Sequence, residues 1–403
     1  MIHAAILGFG VVGSGTAEML TQNRALIREK TGEDVCVKYI VDIREFPESP
    51  FRDRIVRDFA LVEQDPEVDI VIETIGGAKV AYDFTKRALL AGKSVVTSNK
   101  ELVADHGVEL LQIAKEKGVF YLFEAAVGGG IPALKPLVTE LSHNQIREVS
   151  GILNGTTNFI LTRMYRGGLD FAAALKEAQE NGYAEADPTA DIEGHDACRK
   201  IAILAALAYG KMIPTEQIHT EGITGIRGAD VQTAMRSGAS IKLLGRAIRH
   251  KSGGLYLLVA PFLIGNDQPF SHIDDVYNGV VATGDFVGEV MFYGRGAGSY
   301  PTASAVVSDV CALLRKNAPR FDFAEADEDA LISFETFASG RYLAVSDVDK
   351  SAIKVVFGDV RFLTGEEGEI AFLTDTMTEK EMNDKVRRLS ACGAKVLSTL
   401  RVY

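Results

Sequence analysis

The sequence predicts an α/β protein with three parts. The first is a doubly wound, mostly parallel sheet, the second an α+β domain, and the third a small βαββαβ module of ferredoxin-like order. Three observations predict it. Short apolar runs alternate with amphipathic helical stretches through residue 150; helices precede strands between 151 and 325; and two strand–helix blocks enclose a strand pair from about 338 onward.

In the first part, "HAAILGFG", "VCVKYIVD", "VDIVIETIG", "SVVTSNK" and "VFYLFEAAV" read as buried strands ending on Gly, Asp, Asn or Thr. Between them "SGTAEMLTQNRALIREKTG", "VAYDFTKRALLAGK" and "HGVELLQIAKEKG" have helical periodicity with glycine near their ends. Strand–helix–strand order of this kind places helices on both faces of a parallel sheet.

The loop after the first strand, "GFGVVGSG", holds Gly8, Gly10 and Gly13 in a GxGxxG that opens a helix. The first glycine permits a tight turn, the second lets backbone approach a pyrophosphate, and the third lets helix and strand pack closely. A dinucleotide is therefore expected on a Rossmann-type domain. Gly8, Phe9, Gly10, Val11, Val12 and Gly13 would line its phosphates at the helix N-terminus. Asp42 is the expected ribose-binding acid; it lies 29 positions past Gly13, an interval that a long first helix would explain. Arg44 either holds a 2′-phosphate or is a solvated loop arginine, so NAD and NADP both stay open. "ETIGG" and "TSNKEL" end the fourth and fifth strands, where ligands bind such sheets. Thr74, Ile75, Ser98 and Lys100 are thus expected at the cofactor.

The second part begins with helical stretches around 157–166, 170–181 and 195–210. Strand-like "LYLLVAPFLI", "NGVVATGD" and "GEVMFYGRGAG" follow, and the helix "TASAVVSDVCALLRK" is expected to pack back on the first domain. The stretch "GYAEADPTADIEGHDACRK" gathers Glu185, Asp187, Asp191, Glu193 and Asp196 ahead of Lys200. Asp196 and Lys200 stand four positions apart on one helix face, close enough to pair. The plain reading of the segment is a solvated acidic loop; the functional one is a pocket for a ligand with an amine and a reacting oxygen.

Composition bounds the function. At 403 residues and 47% hydrophobic content, two or three cored domains fit. No run approaches ~18 apolar residues, which disfavours a membrane span, and "MIHAAILGFG" is not a signal peptide. A net charge of −12 without a basic stripe disfavours nucleic acid. Four cysteines without a CxxC pair argue against a zinc site or disulfide framework, so a soluble cytoplasmic protein is expected. The acidic "EADEDA" at 325–330 reads as a linker.

Taken together, "GFGVVGSG", "TSNKEL", "FEAAVGGGIPALKPL", "ILNGTTNFIL", "GYAEADPTADIEGHDACRKIAILA" and "GRGAGSYPTASAVVSDV" resemble the homoserine dehydrogenase family, in register from residue 2 to about 313. The resemblance implies NADP- or NAD-dependent reversible reduction of L-aspartate 4-semialdehyde to L-homoserine, in threonine, methionine and isoleucine biosynthesis. It implies Lys200 as the proton donor, Asp196 as its partner, and Glu185 and Asp191 as acids for the substrate ammonium. Gly182, Tyr183 and Thr156, with Asn154 and Thr157 beside them, would line the substrate; Gly182, Gly296 and Gly298 would also reach the cofactor. It further implies a monovalent cation, usually sodium, on backbone oxygens at Glu124, Val127, Gly129 and Ile131.

The pattern along the chain sets the domains at 1–150 (dinucleotide, with 300–320 packing back on it), 151–325 and 335–403; the resemblance gives the second to catalysis and dimerisation, and the last resembles an ACT domain. In that module Ser351-Ala352 replaces the usual Pro-Gly turn, which leaves threonine regulation open beside a purely structural or dimerising role. A stand-alone homodimer or homotetramer is expected, acting on a small molecule and on neither nucleic acid nor membrane. Two rival readings remain: another NAD(P)-dependent amino-acid dehydrogenase, and a non-catalytic NAD(P)-sensing regulatory module.

Overall fold

A computed structural model describes residues 1–327 and 329–403. The chain forms two compact units. The first comprises Met1–Ile146, Ala202–Thr215 and Val280–Asp327, and the second Arg147–Ile201, Glu216–Gly279 and Glu328–Tyr403. Glu328, within the expected linker, lies outside the described residues.

The first unit holds six parallel strands: β1 (Ile2–Leu7), β2 (Val35–Val41), β3 (Ile55–Val56), β4 (Val68–Glu73), β5 (Ser94–Thr97) and β6 (Tyr121–Leu122), in the order β3-β2-β1-β4-β5-β6. This is the doubly wound arrangement, with its topological switch between β1 and β4. Ala4 to Leu7 are fully buried, so β1 is the centre of the core. The expected last strand shrinks to Tyr121–Leu122, because Glu124–Ala126 curl into a 3-10 turn. The interval between Gly13 and Asp42 contains two helices, Val11–Gln22 and Arg24–Thr31, broken at Asn23, in place of the one long helix expected. The helix Ser299–Leu314 packs on the first of these: Ser299 Oγ donates to the Val11 carbonyl at 2.7 Å and Tyr300 OH to Glu18 at 3.0 Å.

The second unit contributes β7 (Ile146–Ile152), β8 (His219–Thr220), β9 (Ala239–Arg249), β10 (Leu255–Gly265), β11 (Arg341–Ser346), β12 (Arg361–Leu363), β13 (Ile370–Leu373) and β14 (Lys395–Val402). Their order is β7-β9-β10-β14-β11-β13-β12, with β8 also on β10. The last four strands and the helices Lys350–Phe357 and Glu379–Ala391 form the expected βαββαβ layout around a core of Leu343, Ile353, Phe357, Phe372 and Leu389. The module is continuous with the rest of the unit, because β14 runs parallel to β10 at Phe262↔Arg401 and Leu263↔Val402. The pair β9–β10 spans eleven residues on each strand.

Sequence reading did not single out β7 or β9. In β9, Lys242, Arg246 and Arg249 fall at helix-like spacing, which hides the strand period of two. Lys242 is nonetheless buried, because its Nζ donates to the Ile273 carbonyl at 2.5 Å and to Asp274 Oδ1 at 2.9 Å. Among the described residues no helix is long and apolar enough to cross a membrane.

Candidate active site

In the first unit the GxGxxG loop turns from β1 into its helix as steric demand requires. Gly8 has φ +87°, and a Cβ on Gly13 would sit 2.0 Å from the Gly8 carbonyl oxygen. Gly10 is the N-cap, so the first-turn N–H groups open toward the strand ends. Thr74 Oγ1 donates to the carbonyls of Leu7 and Gly8, both at 2.9 Å, which ties the end of β4 beneath this loop. Ser299 Oγ reaches Val11, which brings the Gly298 turn beside the same helix start.

Asp42 ends β2 with its carboxylate occupied. It accepts from Phe9 N–H at 2.7 Å and from the Arg44 backbone N–H, Nε and Nη2 at 2.9, 3.0 and 2.8 Å. The Arg44 guanidinium, first among several donors, holds the Asp42 carboxyl down at about 2. Arg44 itself is exposed and lies 5.1 Å from the Phe46 ring centroid.

Beneath the loops that follow β4 and β5 lies a carboxylate that sequence reading passed over. Glu73 is fully buried and accepts from Ile75 N–H at 2.6 Å and Thr97 Oγ1 at 2.5 Å. Burial raises its carboxyl to about 7 against those two donors. Asn99 completes the tie, donating to the carbonyls of Ile75 (3.2 Å) and Gly77 (2.8 Å) and capping the helix Lys100–Lys117 through Leu102 N–H. The only sequence signal was an acid closing an otherwise apolar strand, "VDIVIE".

In the second unit four side chains converge. Lys200, on the helix His195–Tyr209, donates from Nζ to the Leu153 carbonyl and to Asp196 Oδ2, both at 2.7 Å. Lys200 is only 8% exposed and Asp196 6%. Asn154 caps the helix Gly155–Gly167 through Thr157 N–H, and its Nδ2 donates to Asp191 Oδ1 at 2.6 Å and Asp196 Oδ2 at 2.8 Å. Burial raises the Asp191 carboxyl, opposed by the hydrogen bond from Asn154. The result is a continuous chain Lys200–Asp196–Asn154–Asp191, able to hold a proton at one end and a cation at the other.

The N-terminal family profile, "Homoserine dehydrogenase, NAD binding domain", matches residues 8–124, and the profile "Homoserine dehydrogenase" matches residues 132–311. Homoserine dehydrogenase from Synechocystis sp. is 45% identical over 315 residues, covering 77% of this chain and 72% of that protein. The chain belongs to the homoserine dehydrogenase family. Its fold agrees over its whole length: the crystal structure of a homoserine dehydrogenase from Thiobacillus denitrificans superposes with TM-score 0.92 at 36% identity, covering 100% of this chain and 98% of that one. A hyperthermophilic archaeal homoserine dehydrogenase in complex with NADPH covers 79% of this chain and 99% of that one, with TM-score 0.67 and 27% identity. Homoserine dehydrogenases are NAD(P)-dependent oxidoreductases acting on a CH–OH group, and this chain carries their nucleotide-binding domain.

Within the homoserine dehydrogenase frame, the remaining expected residues fall in several places. Thr156 Oγ1 donates to the Tyr183 carbonyl at 2.6 Å, and the Tyr183 ring packs edge-on to Phe159 at 4.9 Å. Gly182 and Glu185 lie on an exposed segment, so the structure brings Asp191 into the lysine cluster and leaves Glu185 at the surface. Glu193 accepts from Thr224 Oγ1 at 3.1 Å.

The loop expected to bind a cation is built around the Glu124 carboxylate, which is 1% exposed and accepts from the N–H groups of Ala133, Leu134 and Lys135 at 2.7 to 2.8 Å. Burial, then the nearby Asp309 carboxylate, raises Glu124 to about 7. Among the described residues no cluster of three or more His, Cys, Asp or Glu could hold a metal. A cation here would therefore rest on main-chain oxygens. The turn's own hydrogen bond, Ile131 N–H to the Gly128 carbonyl at 2.9 Å, uses none of the four carbonyls assigned to it. Gly129 and Gly130 lie directly against Gly296 and Pro301, so this loop abuts the second glycine segment.

Proposed function

We propose that this chain interconverts L-aspartate 4-semialdehyde and L-homoserine with Lys200 as the group that gives and takes the alcohol proton. When bound, NAD(P)H supplies a hydride to the aldehyde carbon. Negative charge then develops on the oxygen, and a donor must stand within hydrogen-bond reach. Lys200 carries that proton on Nζ, aimed by the Leu153 carbonyl and by Asp196 Oδ2. Asp196 Oδ2 accepts from Lys200 Nζ at 2.7 Å, and Asn154 holds Asp196 in place. Asp191, with Glu185 from the exposed segment, pairs with the substrate ammonium and orients the aldehyde. In the other direction the neutral Lys200 amine takes the alcohol proton as the carbon gives up its hydride.

The observation that carries this reading is a buried lysine hydrogen-bonded at 2.7 Å to both a carbonyl and a carboxylate four positions earlier. The test is homoserine-dependent reduction of NADP and of NAD by Lys200→Met. A loss of roughly a thousandfold or more in kcat with coenzyme affinity retained is the expected result. Residual kcat within tenfold would remove Lys200 from the chemistry.

The loop Gly8–Gly13, with Thr74, Ile75, Ser98, Lys100, Gly296 and Gly298, fits a dinucleotide. The Asp42–Arg44 pair would read its adenosine ribose: Asp42 suits a 2′-hydroxyl and Arg44 a 2′-phosphate. Both coenzymes therefore belong in the assay. Backbone oxygens of Glu124, Val127, Gly129 and Ile131 suit a monovalent cation of structural use. The exposed Phe286, Val287 and Tyr293 support a homodimer or homotetramer.

A further inference from the structure

The C-terminal strand ends in a partly buried ionic cluster that leads toward the substrate segment. Arg401, 3% exposed on β14, donates from Nη1 and Nη2 to Glu221 at 2.7 and 2.8 Å, and from Nε to Glu379 Oε1 at 3.0 Å. Arg341 also pairs with Glu379, and His219 Nε2 sits 2.6 Å from Glu221 Oε1. The cluster exists because β8 and β14 lie along the same edge of β10, at Leu258–Val259 and Phe262–Leu263 respectively.

From Glu221 the contact continues through backbone. Ile223 N–H donates to the Ile192 carbonyl at 2.8 Å, and Glu221 N–H donates to the Val259 carbonyl at 2.8 Å. Gly222 is pressed so closely on Ile192 and Glu193 that a Cβ there would lie 2.2 Å from the Ile192 oxygen. Thr224 holds Glu193. Residues 221–224 thus form a strap against the end of the short helix Thr189–Ile192, which carries Asp191. A carboxylate that must meet a substrate ammonium has little tolerance for misplacement.

We infer that Arg401 and Glu221 are positioning residues for substrate binding: the guanidinium clamps Glu221, and the strap that follows sets Asp191. A forked guanidinium fixes a carboxylate in position and in plane, which a single ammonium cannot do. The inference rests on Asp191 being a substrate acid, so the experiment measures that separately.

Steady-state kinetics on the full chain compare Asp191→Asn, Glu221→Gln, Arg401→Lys and Arg401→Gln. Asp191→Asn is expected to raise the homoserine KM by about tenfold or more. Glu221→Gln is expected to raise it roughly threefold to tenfold, with kcat and the coenzyme KM within about twofold. Arg401→Lys is expected to fall between wild type and Arg401→Gln. Should Arg401→Gln prove insoluble, Glu221→Gln keeps the test, since that side chain is 39% exposed. An unchanged homoserine KM in folded Glu221→Gln, beside a raised one in Asp191→Asn, would overturn the strap and leave the substrate site standing. An unchanged KM in Asp191→Asn would remove the substrate acid and the inference together. A fall in kcat at unchanged homoserine KM would mark a purely structural cluster and overturn it as well.

Discussion

Glu73 is a fully buried carboxylate, held by one backbone N–H and one hydroxyl. Two neutral donors offset only part of the desolvation cost, so its folded value of about 7 stands above the ordinary 4.5. The folded state then binds more protons than the unfolded one between those values. The stability it contributes is complete below about pH 4.5 and is lost as pH rises toward 7, a change on the order of 3 kcal/mol. Glu73→Gln keeps the shape without the titration. Chemical denaturation at several pH values is expected to show a falling stability from pH 5 to 8 in the parent and a flatter one in the variant. Equal slopes would refute the assignment. The site residues show how far sequence reaches at this scale. Asp196 and Lys200 were legible because a helix places i and i+4 together. Leu153 and Lys200 lie 47 positions apart, and Asn154 and Asp191 37, so only the fold brings them together.

At the scale of elements, the turn from β1 into its helix separates two kinds of glycine. A methyl group on Gly13 would strike the Gly8 carbonyl at 2.0 Å and Thr74 Oγ1 at 2.8 Å, both held by the sheet. One on Gly10 meets only the end of Arg44, at 3.9 Å, with φ −82° that any residue accepts. Gly13→Ala is therefore expected to lose about 2 kcal/mol or more of stability and to bind no coenzyme. Gly10→Ala is expected to fold within about 1 kcal/mol of the parent yet bind coenzyme at least roughly tenfold more weakly, because the methyl fills space needed by a pyrophosphate. Thermal melts with coenzyme titrations distinguish the two; a Gly10→Ala variant that binds normally would place the phosphates elsewhere. The parallel strands were readable because burial on both faces leaves continuous apolar runs bounded by turns. β9 was not, because Lys242 and Arg246 are neutralised by Asp274 and Glu148, residues far along the chain that local periodicity does not contain.

At the scale of the whole molecule, the βαββαβ order of residues 335–403 was legible, but its attachment was not. Turn and helix signals describe a module from within; nothing local in "VLSTLRVY" states that its end will pair with Phe262 and Leu263. The attachment also combines a buried hydrogen bond with a partly buried ion pair. Tyr342 OH donates to Asp230 at 3.0 Å, and Arg227 reaches Glu369 from both terminal nitrogens at 2.8 and 3.0 Å. Removing the module would bare one edge of β10 at Phe262 and Leu263 and strip Glu221 of the guanidinium that faces it, leaving open backbone groups beside buried apolar residues. A chain ending at residue 334 is accordingly expected to aggregate or to lose its cooperative thermal transition, beyond any loss of regulation. Size-exclusion chromatography and circular dichroism measure this directly. A soluble, monodisperse 1–334 chain that kept the parental melting profile and its homoserine oxidation would make the module a separable appendage. In that case β10 would have to be stabilised by contacts other than those that β14 supplies.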